Sequence, residues 1–196
     1  LKRINDLKNC HDSTLEISSD ELKSLNNLEF TDNSEDLQSC NFFIVTVPTP
    51  ITQDKKPDLK PITEATKTIA SYISSGNFVV YESTVFPGVT EEICVPIIEE
   101  RAGLKINKDF FVGYSPERIN PGDKIHTLTN IVKITSGSNK FAADIINDLY
   151  ATIIKAGTYQ APSIQIAEAA KVIENTQRDL NISLVNELSK IFNILD

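Results

Sequence analysis

Residues 77–88 read NFVVYESTVFPG, and the fold turns on how this stretch is taken. Phe78 to Tyr81 is an unbroken apolar run with two valines at its centre. A strand with one wet face would alternate apolar and polar residues. An unbroken β-branched and aromatic run is the pattern of a strand buried on both faces, as in parallel sheets covered by helices. The run ends in three polar residues, Glu82, Ser83 and Thr84, and then in Pro87 and Gly88. A helix is expected from about Val89 to Arg101. In a sheet of this kind ligands bind beyond the carboxyl ends of the strands. The polar end therefore raises the question of a site. A helix start after Gly88 offers free N–H groups and a positive dipole end, suited to an anion or a dinucleotide. A plain strand-to-helix turn capped by Ser or Thr is the alternative.

The same grammar extends outward. NFFIVTV, 41–47, is a second near-continuous strand, followed by the proline-rich loop PTPITQDKKPDLKP and a helix from about Ile62 to Ser74. DFFVGYSPERINPGD is a strand running into a long polar loop. NIVKITSG and ATIIKAGTY are further strands around the helical stretch SNKFAADIINDLY. The strands at 42–47, 77–82, 110–114 and 131–135 are expected in one sheet, the first two parallel. Upstream, Leu1, Ile4 and Leu7 sit at helical spacing. Ser18 or Ser19 opens a second helix to about Leu25, and LEFTDN is a short strand. From Ser163 to about Leu195 the pattern is one long helix. Alternating strands and helices give an α/β class with a doubly wound, mostly parallel sheet.

Composition narrows the function. The chain has 196 residues, 40% hydrophobic and 23% charged, which suits a soluble globular fold. A formal net charge of −8 without a basic cluster argues against nucleic acid and against anionic membranes. No apolar run is long enough to span a bilayer, and Leu1–Asn9 is too polar for a signal peptide, so the cytoplasm is the expected compartment. Cys10, Cys40 and Cys94 make an odd set without paired spacing. Cys40 and Cys94 are expected as packed thiols, and nothing in the Cys and His spacing suggests zinc. His11 and His126 lack Ser or Cys partners that would suggest a triad. The absence of any methionine, the start within a helical pattern and the end at a helix close are the expected marks of a piece of a longer protein.

Two candidate sites remain. In SPERINPGD, Glu117 adjoins Arg118, and Asn120, Pro121 and Gly122 form a turn before Asp123. Glu117 is either a base or water-positioning group at a strand end, or half of a local ion pair. In the long helix, AEAAKVIENTQRDLN places Lys171, Asn175 and Arg178 within roughly 60° of one another, with Glu168 beside them. Apolar residues cover much of the remaining circumference. The stripe therefore either faces a ligand cleft or is a solvated bridge between domains.

Taken together, VTVPTPI, KPDLKPI, YESTVFPGVTEE, GYSPERINPGD and AEAAKVIENTQRDLN resemble the UDP-glucose/GDP-mannose dehydrogenase family, in its order and spacing, over nearly the whole chain. The forms of VPTPI and SPERINPG are most similar to the branch that oxidises UDP-N-acetylglucosamine or UDP-N-acetylgalactosamine at C6 for bacterial capsule, Vi-antigen and O-antigen. The resemblance implies a Rossmann-like NAD-binding domain over 1–160, incomplete because its first βαβ unit and glycine fingerprint are missing. It also implies a central helix over 161–196 that forms a homodimer interface, and a UDP-binding domain beyond it. It implies NAD as cofactor and a UDP-N-acetylhexosamine as substrate, oxidised from alcohol to carboxylate in two hydride transfers through a cysteine thioester.

Roles carry over residue by residue. Thr49, with Pro48, matches the nicotinamide-ribose contact. Ser83 and Thr84 match the cofactor loop, and Thr84 also helps place the catalytic water. Glu117 matches the acid–base glutamate, Lys171 the lysine that stabilises the oxyanion, and Asn175 the asparagine beside it. Arg118, Asn120 and Gly122 fall in the segment that wraps the sugar. Pro121 stands where the UDP-glucose enzymes carry a second glutamate, which favours the N-acetylated branch. The three cysteines match no nucleophile position, so the 196 residues alone are expected to be inactive. UDP-N-acetylmannosamine or UDP-glucose oxidation is the enzymatic alternative. A non-catalytic Rossmann-like dimerisation module is the alternative of a different class. A kinase or transferase would need a phosphate-gripping GxxxxGK[ST] loop, and the sequence has none.

Overall fold

The computed structural model describes residues 2–117, 119 and 127–195. They fall into two compact units, 1–40 and 41–196. The first holds two short helices, α1 (Lys2–Lys8) and α2 (Ser19–Ser24). The start of α2 is the one its sequence predicts. Ser18 accepts the Glu21 N–H while the Glu21 carboxylate accepts the Ser18 N–H, so two orphan amides of the first turn are satisfied together. LEFTDN, read as a strand, forms none. A strand needs a neighbour for its ladder, and these six residues pair with no other described segment.

The second unit carries the sheet. β1 (Phe42–Val45), β2 (Asn77–Tyr81) and β3 (Phe110–Tyr114) pair in parallel in the order β1-β2-β3. The register sets Phe42, Phe78 and Phe111 side by side, and Val45, Tyr81 and Tyr114 likewise. β2 and β3 are buried on both faces, as their unbroken apolar runs require. β1 is not. It is an edge strand, and Ile44 on its far face is exposed.

Helix α3 (Lys60–Ala70) covers one face, where Thr66 and Tyr81 share a hydroxyl–hydroxyl hydrogen bond of 2.9 Å. Helix α5 (Lys140–Ala151) covers the other, packing Ala142, Ile146 and Tyr150 on Val80. Phe42, Phe78 and Phe111 stack on that side, closed by the edge of Phe141. The helix after Gly88 begins as one wide π-helical stretch, Val89–Cys94, before α4 (Val95–Ala102). Pro96 has no N–H to give to the carbonyl four residues back, and the Val95 N–H reaches Thr90 O, five back, instead.

One expectation fails. The segment 131–135 does not join the main sheet. β4 (Lys133–Thr135) pairs in parallel with β5 (Thr158–Gln160) as a second, two-stranded sheet. β5 is also shorter than ATIIKAGTY suggests, because its first residues close α5. Beside β3, side-chain hydroxyls take the places of a ladder: Ser115 donates to Ile134 O and Ser136 to Tyr114 O, each at 2.7 Å. The two backbones approach so closely at Gly113 that a Cβ there would lie 2.4 Å from Ser136 O. Finally, α6 (Ile164–Leu195) is a single helix of 32 residues, and Ser163 accepts the Ile166 N–H at its start.

Candidate active site

Three loops converge at the carboxyl ends of β1, β2 and β3. The Glu82 N–H continues the ladder to Val45 O, and the Ser115 N–H continues it to Tyr81 O. The buried Ser83 hydroxyl donates to Val47 O at 2.7 Å, tying the second loop to the first. The Tyr114 hydroxyl donates to Ser83 O at 3.2 Å, tying in the third strand. This leaves Pro48 and Thr84 exposed at the rim. Thr49 Oγ1 is buried and has no hydrogen-bond partner. An orphaned hydroxyl at a strand end fits a polar ligand such as the ribose of NAD.

The opening turns of α6 run alongside these loops. The Lys171 ammonium donates to the backbone O of Glu117, so residues far apart in sequence meet at one point. Glu117 is half-buried, and its carboxylate accepts the Ile119 N–H. Burial raises its pKa above the ordinary glutamate value, opposed by Lys171 and Lys133 and reinforced by Glu82 and Glu174. A carboxyl whose pKa is raised by burial accepts a proton more readily than a solvated one, which suits an acid–base group. Asn175, one turn beyond Lys171, is exposed, and Arg178 pairs with Glu174 at 3.1 Å on the same helix. Arg118, Asn120 and Gly122 lie outside the described residues, as do Asp123 and His126.

The helix start after Gly88 does not await an anionic ligand. It already has one. Glu168 of α6 is wholly buried and accepts the Gly88 N–H at 2.6 Å, the Thr90 N–H at 3.0 Å and the Thr90 hydroxyl at 2.7 Å. The carboxylate fills the place at the dipole's positive end that the sequence leaves open to a dinucleotide. Gly88 is needed there for its backbone, at φ +100°. The sequence signal for Glu168 was faint: a carboxylate three residues before Lys171, on the buried stripe of an otherwise apolar turn.

A second cluster was also missed. Lys133 on β4 is almost fully buried, with its ammonium 3.0 Å from Glu82 Oε1. That contact has the distance of an ion pair but not the alignment of a hydrogen bond. Tyr150 donates to the same Glu82 oxygen at 2.5 Å, and its ring lies 5.2 Å from the ammonium. Of the cysteines, Cys94 is buried and burial pushes its thiol pKa up, whereas Cys40 is exposed, against expectation. Cys40 caps the end of a short 3₁₀ turn at Ser34–Ser39, and its thiol donates to Asp36 O at 4.0 Å. Among the described residues no group of His, Cys, Asp or Glu could hold a metal ion, and no helix is long and apolar enough to cross a membrane.

Residues 2–154 match the NAD binding domain of the UDP-glucose/GDP-mannose dehydrogenase family. A UDP-N-acetyl-D-glucosamine 6-dehydrogenase of Pseudomonas aeruginosa is 58% identical over 97% of the chain, which covers 45% of that protein. Its counterpart in Salmonella typhi is also 58% identical, over 100% of the chain and 46% of its own length. The chain thus spans less than half the length of these curated relatives. The structure of a UDP-D-ManNAc dehydrogenase from Pyrococcus horikoshii superposes with a TM-score of 0.87 at 35% identity, covering 95% of the chain and 45% of that protein. With its parallel sheet, its strand-end loops and its long helix, the chain belongs to the UDP-glucose/GDP-mannose dehydrogenase family, whose NAD binding domain residues 2–154 match.

Proposed function

We propose that the intact protein is an NAD-dependent dehydrogenase that oxidises the C6 alcohol of a UDP-N-acetylhexosamine to a carboxylate. The observation that carries this reading is the meeting of Lys171 with the Glu117 loop at the strand ends. NAD supplies the hydride acceptor. Pro48, Thr49, Ser83 and Thr84 hold it at the carboxyl ends of β1 and β2, where the unsatisfied Thr49 hydroxyl waits for a partner. Arg118, Asn120 and Gly122 wrap the sugar.

Oxidation of the alcohol takes a hydride from C6 and a proton from its hydroxyl, leaving negative charge on oxygen as the proton departs. The Lys171 ammonium, helped by the Asn175 amide, stabilises that charge. A second hydride transfer to a second NAD would then take the aldehyde, joined to a cysteine of the intact protein, to a thioester. Glu117 accepts a proton when water attacks that thioester and displaces the thiol, and Thr84 helps to place that water. Burial raises the Glu117 pKa, which makes the carboxylate a stronger base than a solvated glutamate.

Residues 1–160 form the NAD-binding domain and 161–196 the central helix. Beyond its first turns α6 exposes Leu180, Leu184, Leu188 and Ile191 along one stripe, which suits packing against the same helix of a second copy. A cytoplasmic homodimer without nucleic-acid or membrane partners completes the reading.

The test is to assay the full-length protein with NAD against a panel of UDP-sugars. NADH formation with UDP-N-acetylglucosamine or UDP-N-acetylgalactosamine is the expected result. Turnover of UDP-glucose or UDP-N-acetylmannosamine alone would transfer the protein to another branch, and no turnover of any UDP-sugar would end the proposal.

A further inference from the structure

We propose that Lys133 is a positioning residue for the reaction: a buried cation, clamped behind the Glu82–Thr84 loop by Glu82 and Tyr150, that sets the charge of the pocket in which Glu117 and Lys171 work. The inference rests on the functional reading above, in which Glu117 is the acid–base group.

The geometry is specific. Lys133 is only 4% exposed through its side chain and Glu82 15%. Taking an ammonium out of water is costly, a carboxylate close by offsets that cost, and Glu82 provides one at 3.0 Å. The Tyr150 hydroxyl fixes that carboxylate from α5, and the Tyr150 ring supports the ammonium from beneath. The residue just after β2 and one residue each of β4 and α5 make up the cluster. Glu82 immediately precedes Ser83 and Thr84, so the cluster stands directly behind the loop that faces cofactor.

Such a pair is a poor device for stability alone. Replacing a buried ion pair with apolar residues of similar volume is often neutral or stabilising. Its electrostatic consequence is more telling. Ser115, two residues before Glu117, donates to Ile134 O beside Lys133 and ties the two segments together at 2.7 Å. Burial raises the Glu117 pKa, Lys171 and Lys133 lower it, and Glu82 and Glu174 raise it. Among the described residues two cations and two carboxylates thus act on it, and Arg178 pairs with Glu174. Without Lys133, Lys171 would be left among three carboxylates: Glu82, Glu117 and Glu174. Glu117 would then hold its proton to higher pH and act less well as a base. Without the Glu82 charge, the uncompensated Lys133 would push Glu117 the other way. A cluster that merely fills space would produce neither sign.

The experiment uses the full-length protein with ¹³C-labelled glutamate. The Glu117 carboxyl resonance, assigned by its loss in Glu117→Gln, is titrated in the wild type, Lys133→Met, Lys133→Arg and Glu82→Gln. In parallel, the pH profile of NADH formation is recorded with UDP-N-acetylglucosamine. Lys133→Met should raise the Glu117 titration by about one pH unit, and the acid limb of the rate profile should move with it. Lys133→Arg should restore both. Glu82→Gln should lower the titration. A Glu117 titration unmoved in folded Lys133→Met overturns the proposal. Where Lys133→Met fails to fold, Glu82→Gln decides: a downward shift supports the proposal, and no shift or an upward one overturns it. A wild type that turns over no UDP-sugar would sink the functional reading, while the titration would still report on Lys133.

Discussion

The first turns of α6 and the longer remainder of the helix have opposite surroundings. From Ile164 to Lys171 the helix is anchored: Ile164, Ala167 and Glu168 are buried, and Glu168 ties it to Gly88 and Thr90. From Val172 to Leu195 it stands clear in the single chain. Ile173, Leu180, Leu184 and Leu188, expected to be covered by the sheet domain or by a second helix, are 66%, 63%, 59% and 40% exposed. The sheet domain does not cover them. The lesson is that an apolar stripe fixes a demand for a partner but not which partner meets it. In the first turns a single carboxylate, not an apolar contact, makes the docking specific. Lys171 sits at the boundary, where the helix is still held and its ammonium reaches the Glu117 loop.

The largest expected effect lies at that boundary. Lys171→Ala in the full-length protein should lower kcat by about 10²- to 10³-fold, the usual loss for one oxyanion donor. UDP binding should change much less, because the charge that Lys171 meets develops in the transition state. Stopped-flow measurement of NADH formation beside calorimetric UDP binding separates the two. A rate left unchanged, with stability within about 0.5 kcal/mol, would return Lys171 to the solvated stripe.

The anchored part is tested next. Glu168→Ala should destabilise the fold by about 3 kcal/mol, because it strands two amides and a hydroxyl that are hydrogen-bonded to a charged group. Urea unfolding measures this, and a change within about 0.5 kcal/mol would place Glu168 among ordinary surface residues. For the free part, Leu184→Lys should weaken self-association roughly tenfold, about 1.4 kcal/mol, with little change in the stability of the isolated chain. Sedimentation velocity over a dilution series reads the first quantity. Association that ignores this substitution would mean that another surface joins the copies.

The smallest effect concerns pH. Glu117 has its folded pKa raised above the unfolded value. Between those two values the native state binds more protons than the unfolded chain, so stability declines as pH rises through that window. Glu117→Gln should flatten this slope just above the usual glutamate range. Unfolding midpoints at closely spaced pH values provide the measurement, and an unchanged slope would show that the carboxyl is effectively solvated.

Much of this was legible in the residues alone. The unbroken runs of β2 and β3 announced strands buried on two faces, because only a sheet covered by helices tolerates them. The Ser18–Glu21 spacing announced a capped helix, and the length of α6 followed from its uninterrupted 3.6-residue pattern. These are local signals, written in consecutive side chains. The resemblance of five ordered segments pointed to Glu117 and Lys171, and the structure brings those two residues into contact. It leaves Asn175 exposed in the single chain.

What only the tertiary structure decided depends on partners distant in sequence. The helix start after Gly88 read as an open anion site because the carboxylate that fills it comes 80 residues later. Lys133 read as one lysine in a strand because Glu82 and Tyr150 belong to other elements. β4 read as a fourth strand of the sheet because apolar pattern identifies strands without naming their neighbours. Pairing is chosen by backbone approach and by hydroxyls such as Ser115 and Ser136, which take up the carbonyls a ladder would use. Sequence pattern reports what a residue requires of its surroundings, and long-range packing chooses which residue supplies it.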